Sequence, residues 1–167
     1  MKGLFSFLDR SQSSGNALHA ASDLAGITRT DLPSLTHPVS QACTRNQFDE
    51  DVYAYWCAEI DERAWLHRKQ WEFCFIAQAL AVHGMLAPGR RGIGFGVGSE
   101  PLAAIFASRG AIVLGTDLEP DHAAESGWVE TNQHAFSKQA MNDRRLCPAD
   151  LFEQNVSFRF MNMNEIP

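Results

Sequence analysis

Residues 91–120, RGIGFGVGSEPLAAIFASRGAIVLGTDLEP, restrict the fold of this chain more than any other stretch. A short apolar strand starts near Arg91, runs through Ile93 and Phe95, and gives way at Gly96 to a glycine loop. Ser99 or Glu100 caps the helix that follows, and Pro101 takes its first turn, where a missing N–H costs nothing. Leu102, Ile105 and Phe106 are expected to face inward, and Gly110 stops the helix. The aliphatic run AIVLGT then predicts a strand covered on both faces, closing on Asp117. Glycines at the first turn and an acid at the end of the second strand make the nucleotide-cofactor pocket of an open α/β sheet.

The flanks fill in the organisation. Residues 1–45 are rich in Ser, Thr, Ala and Asp and show little periodicity, which predicts a flexible N-terminal arm with a short helix near its start or, in the alternative, a strap over the later domain. Residues 46–167 form the domain. From Asp49 onward Val52, Trp56 and Ile60 recur at helical spacing, as do Phe73, Ala77 and Leu80 with Ile76, so two helices or one bent helix lead in and stop at Gly84. The aromatic stripe is core, with a minority reading in which it or His67, Arg68 and Lys69 cover a ligand. After Asp117 a polar connection with helical pieces leads to VSFRFMN, where Val156, Phe158 and Phe160 alternate as a third strand should.

Composition excludes several classes of function. A formal charge of -6 with interspersed signs opposes nucleic-acid or anionic-membrane binding, since phosphate recognition needs a basic face. No apolar window reaches the length of a membrane span, and the short apolar run at the N-terminus is too brief for a secretory signal. Cys43, Cys57, Cys74 and Cys147 lack metal-ligand spacing and read as reduced, core-filling thiols of a cytoplasmic protein. Asp117, Glu119 and Asp121 are close in sequence, but a helix start explains the last two better than a metal does.

A cofactor lying across the top of a sheet needs backbone at its closest approach, and glycine also admits positive φ. The spacing Gly94, Gly96, Gly98 is GxGxG, whereas the dinucleotide pattern GxGxxG fails in every register, at Val97, Ser99 or Pro101. A NAD-binding oxidoreductase module is therefore the weaker alternative. S-adenosylmethionine fits better, with Asp117 accepting hydrogen bonds from the ribose hydroxyls.

The segment GIGFGVGSEPLAAIFASRGAIVLGTDLEP resembles the first two motifs of class I S-adenosylmethionine-dependent methyltransferases. HRKQWEFCFIAQAL, GWVETNQHA and VSFRFMNMNEIP resemble one bacterial branch of that superfamily, so the likeness covers about residues 50–167. It implies a Rossmann-like three-layer α/β sandwich preceded by helices. It places Gly94, Phe95, Gly96, Val97 and Gly98 beneath the cofactor, Asp117 on the ribose, Leu118 beside the adenine, Asn162 on the adenine amino group and the Met163 backbone on the ring nitrogen. Two positions depart from the pattern: Gly92 stands where an acid is usual, with Glu100 the nearest carboxylate, and Asn162 stands for an aspartate. The resemblance also implies that the sheet ends early, after about three parallel strands, as the cofactor-binding half of an enzyme. The open fourth-strand edge would then invite self-association, and a non-catalytic protein acting by chain pairing is the rival expectation. No catalytic residue is assigned. His134, within a motif that includes Gly127, Trp128, Thr131 and Gln133, is the foremost candidate base, ahead of His83 and His122. The methyl acceptor is not legible.

Overall fold

A computed structural model of the chain describes residues 5–7, 32–125, 127 and 134–164. Its strands are β1 (Phe5–Phe7), β2 (Arg91–Phe95), β3 (Ile112–Asp117) and β4 (Val156–Phe160). Its α-helices are α1 (Asp51–Glu59), α2 (Arg68–Val82), α3 (Leu102–Ser108), α4 (Pro120–Glu125) and α5 (Ala149–Asn155). The four strands form one sheet in the order β1-β2-β3-β4. β2, β3 and β4 are parallel, with Gly94 opposite Gly115 and Gly115 opposite Phe158. Helices with an open three-stranded parallel sheet make this an α/β fold, as expected from the sequence. The antiparallel strand β1, with Phe5 opposite Gly94 and Phe7 opposite Gly92, stands near the start of the chain, where the sequence predicts a short helix.

The core follows from α3. Every residue from Leu102 to Ala107 is buried, so this helix is apolar all round and lies between the sheet and the other helices. Burial of Leu102, Ile105 and Phe106 contributes about 1.5–3 kcal/mol each. α5 packs beside α3, where Asn155 Nδ2 donates to the Ala107 carbonyl (3.2 Å). Both lie on the sheet face that carries Val113 and Val156, which are 0% and 4% exposed. The opposite positions are less covered: Leu114 and Ile93 are half-buried and Ile112 is 40% exposed. β3 is thus covered on one face more than the other, unlike the doubly covered strand its aliphatic run predicts, because the helices of both crossovers share a face.

α1 and α2 form a hairpin against α3, burying Tyr53, Trp56, Ile60, Trp71, Phe73, Cys74 and Ala77. α2 and α3 end at Gly84 and Gly110, where the chain reverses with paired bonds back onto the last turn: Met85 N to Leu80 O (2.8 Å) and Ala111 N to Phe106 O (3.1 Å). α1 ends in the same way, but with Asp61 at φ 54 in the reversing position. Ahead of α1, Leu35 is fully buried, and the Glu50 carboxylate accepts from Leu35 N (3.0 Å), Thr36 N (3.1 Å) and Ser34 Oγ (3.0 Å). One carboxylate therefore fastens residues 34–36 to the start of α1. No α-helix among the described residues is long and apolar enough to cross a membrane.

Candidate functional site

The carboxyl ends of β2, β3 and β4 bring the loop after Phe95 to Asp117 and the residues after Phe160. The glycines have distinct reasons. Gly96 and Gly98 take φ 59 and 52, a region in which an L side chain is strained. A Cβ on Gly96 would meet nothing within 4 Å, so backbone conformation, and no protein neighbour, selects glycine there. Gly94 stays inside β2 as a buried residue whose carbonyl accepts from Thr116 Oγ1 (3.0 Å). Val97, between the turning glycines, points into the core at 1% exposed, and its N–H donates to Thr116 O (3.0 Å).

Asp117, 7% exposed, is the hub of this end of the sheet. Its Oδ2 accepts from the N–H of Gly98 (3.0 Å) and of Ala135 (3.0 Å), and its Oδ1 from that of Leu118 (2.9 Å). Its own carbonyl accepts from Met161 N (2.7 Å), which brings the residues after β4 alongside. A carboxylate offers about four lone-pair sites. Three are used by backbone, so the acid expected on a ribose first serves as a clasp joining the glycine loop, the end of β3 and the segment at 134–135.

His134 is part of the same clasp. It is 5% exposed, its Nε2 lies 2.7 Å from the Leu118 carbonyl, and its ring is parallel to that of Phe160 and edge-on to that of Phe136. A carbonyl only accepts, so Nε2 is the donor in this pair. Nδ1 is buried with no partner among the described residues. This placement gives His134 a holding role at Leu118. Trp128, Thr131 and Gln133 of the same motif lie outside the described residues.

Asn162 and Met163 follow β4. Asn162 Oδ1 accepts from Asn164 N (3.0 Å) and Asn164 Nδ2 (3.2 Å), closing its own turn, and Met163 is 45% exposed. Glu100, the carboxylate nearest the missing acid of the first motif, pairs with Lys69 Nζ at 2.7 Å. Lys69 also pairs with Glu72 (3.5 Å), so the first turn of α2 is held at the exit of the glycine loop. The sequence pointed to Lys69 only within a polar cluster. It gave no hint of Ala135 or Thr116 as partners, because backbone and hydroxyl contacts of this kind leave no pattern in residue type. No family model matches the chain, nor does any curated protein or solved structure match it significantly.

Proposed function

We propose that the chain is the S-adenosylmethionine-binding part of a methyltransferase with a Rossmann-like α/β sheet. The observation that carries this reading is the positive-φ loop at Gly96 and Gly98, tied by Gly98 N–H to an acid at the end of the adjacent parallel strand. Such a loop presents backbone at the carboxyl ends of the strands, where ligands of open α/β sheets bind. In this reading the loop lies under the cofactor, the last lone-pair site of Asp117 takes a ribose hydroxyl, and Leu118, Asn162 and Met163 border the adenine. The cofactor supplies an electrophilic methyl group, and the chain's own residues bind and align it. Its cysteines Cys43, Cys57, Cys74 and Cys147 are all free, and Cys57 Sγ and Cys74 Sγ stand 3.8 Å apart unjoined. In this reading the thiols stay reduced, as in the cytoplasm.

Isothermal titration with S-adenosylhomocysteine tests the reading. One site with a micromolar Kd, about -8 kcal/mol, is expected, and Gly96→Val should weaken it at least ~10-fold by straining the loop. Absence of heat from a sample that is folded by circular dichroism sinks the reading. A second reading, a non-catalytic protein that pairs chains, draws on β4, whose outer side carries no strand among the described residues. A strictly monomeric sedimentation profile up to high concentration would remove it.

A further inference from the structure

Between α1 and α2, residues 61–67 form a loop whose backbone is fixed while its largest side chains stay uncovered. Gln70, 1% exposed, does most of the fixing. Its Oε1 accepts from Trp65 N (3.1 Å) and lies 2.5 Å from Tyr53 Oη, and its Nε2 donates to Arg63 O (3.1 Å) and Glu62 Oε2 (2.6 Å). Tyr53 Oη is also 2.7 Å from the Trp65 carbonyl. From the far side, Arg144 donates to Ile60 O (3.0 Å) and pairs with Glu62 Oε1 (2.5 Å). Yet Trp65 and Leu66 are 58% and 59% exposed. The His67 ring covers one face of the Trp65 indole, parallel at 4.5 Å and 5°. The residue as a whole nonetheless stays 58% exposed.

Beside it lies a hollow of about 400 Å³, lined among the described residues by Glu62, Arg63 and Trp65. The depression is shallow and wide open to solvent. The charge of Glu62 is balanced by Arg144, whereas the exposed Arg63 side chain has no carboxylate partner among the described residues. An exposed indole and a guanidinium with no carboxylate partner among the described residues stand on a loop whose backbone hydrogen bonds already hold, so binding orders little further in that backbone.

We propose that this loop binds a planar aromatic compound bearing an anionic group, its ring on the exposed indole of Trp65 and its anion on Arg63. Aromatic surface prefers offset stacking on an indole, and guanidinium suits carboxylate, sulfonate or phosphate geometry. The site stands independently of the methyltransferase reading. The Lys69–Glu100 pair puts it at the same end of the molecule as the glycine loop.

The experiment is calorimetric titration of the full chain with naphthalene-2-sulfonate, alongside the neutral naphthalene-2-methanol and the non-aromatic hexanoate. One site that prefers the sulfonate is expected. Trp65→Ala should weaken it about 10-fold or more, and Arg63→Gln should weaken it roughly 3- to 10-fold and abolish the preference over the neutral alcohol. Both side chains are exposed, and unchanged thermal unfolding would show that the variants fold. Lack of binding at millimolar probe, or binding that neither substitution affects, overturns the proposal. A parallel titration with S-adenosylhomocysteine separates its failure from that of the glycine-loop reading, because Trp65→Ala should leave that titration as it was.

Discussion

Two buried polar side chains each hold a loop in place, and they do it differently. Gln70 organises the loop between α1 and α2, and Asp117 organises the loop after β2. Gln70 is neutral, and both its donor protons and its carbonyl are taken by protein. Asp117 is a carboxylate that accepts three backbone N–H bonds with room for about one more. A saturated hub holds its own loop and offers nothing to a ligand itself, so any ligand there must use the side chains that the loop displays. An unsaturated hub can hold its loop and also touch a ligand. The difference separates the proposed site of displayed side chains, Trp65 and Arg63, from the proposed site of backbone and a single acid.

Removing the saturated hub should have the largest effect. Gln70→Leu leaves the Trp65 N–H and the Arg63 carbonyl short of partners, at a cost of about 1–3 kcal/mol per group, while the Tyr53 hydroxyl keeps the Trp65 carbonyl. Chemical denaturation should therefore show a loss of roughly 4 kcal/mol, with Trp65 fluorescence shifting before global unfolding. A loss under about 1 kcal/mol would mean that the loop is held some other way. Asp117→Asn comes next, because the amide keeps one acceptor oxygen and turns the other position into a donor facing N–H groups. We expect a loss of about 2–3 kcal/mol, accompanied by weaker S-adenosylhomocysteine binding. An effect on stability with none on binding would make Asp117 a clasp only, and the contrast with Gln70 would collapse.

The two hubs also differ in how far the sequence discloses them. Asp117 stands out because an acid closing an aliphatic strand after a glycine loop is a recognisable arrangement, and β2 and the end of β3 fall where that arrangement puts them. The alternation of Val156, Phe158 and Phe160 likewise marks β4. Gln70 has no such signature. It follows His67, Arg68 and Lys69, and a glutamine beside three basic residues reads as a solvated helix face. Only the packing of α1 over α2, a tertiary fact, buries it. β1 was hidden for another reason: three residues are too few to show a period, and its place is set by pairing with β2. The exposure of Ile112 also escapes the sequence, since an aliphatic run does not reveal which face the crossover helices will take.

A smaller effect is expected at Gly115, in the middle of β3 and on the sheet side of the comparison. A Cβ there would lie 2.5 Å from Met141 Sδ and 3.4 Å from Val97 Cγ2. Val97 belongs to the glycine loop, so crowding at Gly115 reaches that loop through packing, without touching the hydrogen bonds of Asp117. Gly115→Ala should cost about 1–3 kcal/mol by overpacking, and Met141→Ala in the same chain should recover part of that loss by opening space. Thermal unfolding of the two single variants and the double variant measures the coupling. Simple additivity would show that Met141 does not set the fit at Gly115.

The hairpin side carries the gentlest test, a dependence on pH. Cys57 and Cys74 face each other across α1 and α2, and burial raises both thiols above their ordinary value. Below about pH 8.5 both the folded and the unfolded chain keep these protons, and the pair contributes no slope. Above it the unfolded chain releases them while the folded chain retains them, so the unfolded state binds fewer protons and stability falls as pH rises. Each thiol should add a slope approaching about 1.4 kcal/mol per pH unit. Burial raises Cys43 and Cys147 as well, so the wild-type curve sums several thiols and the difference between variants is the informative quantity. Cys57→Ala with Cys74→Ala should flatten denaturation midpoints between pH 8.5 and 10, after allowance for the small cavity, while Asp117→Asn should leave that slope unchanged. If the double alanine variant keeps the wild-type slope, the alkaline sensitivity does not originate in the hairpin.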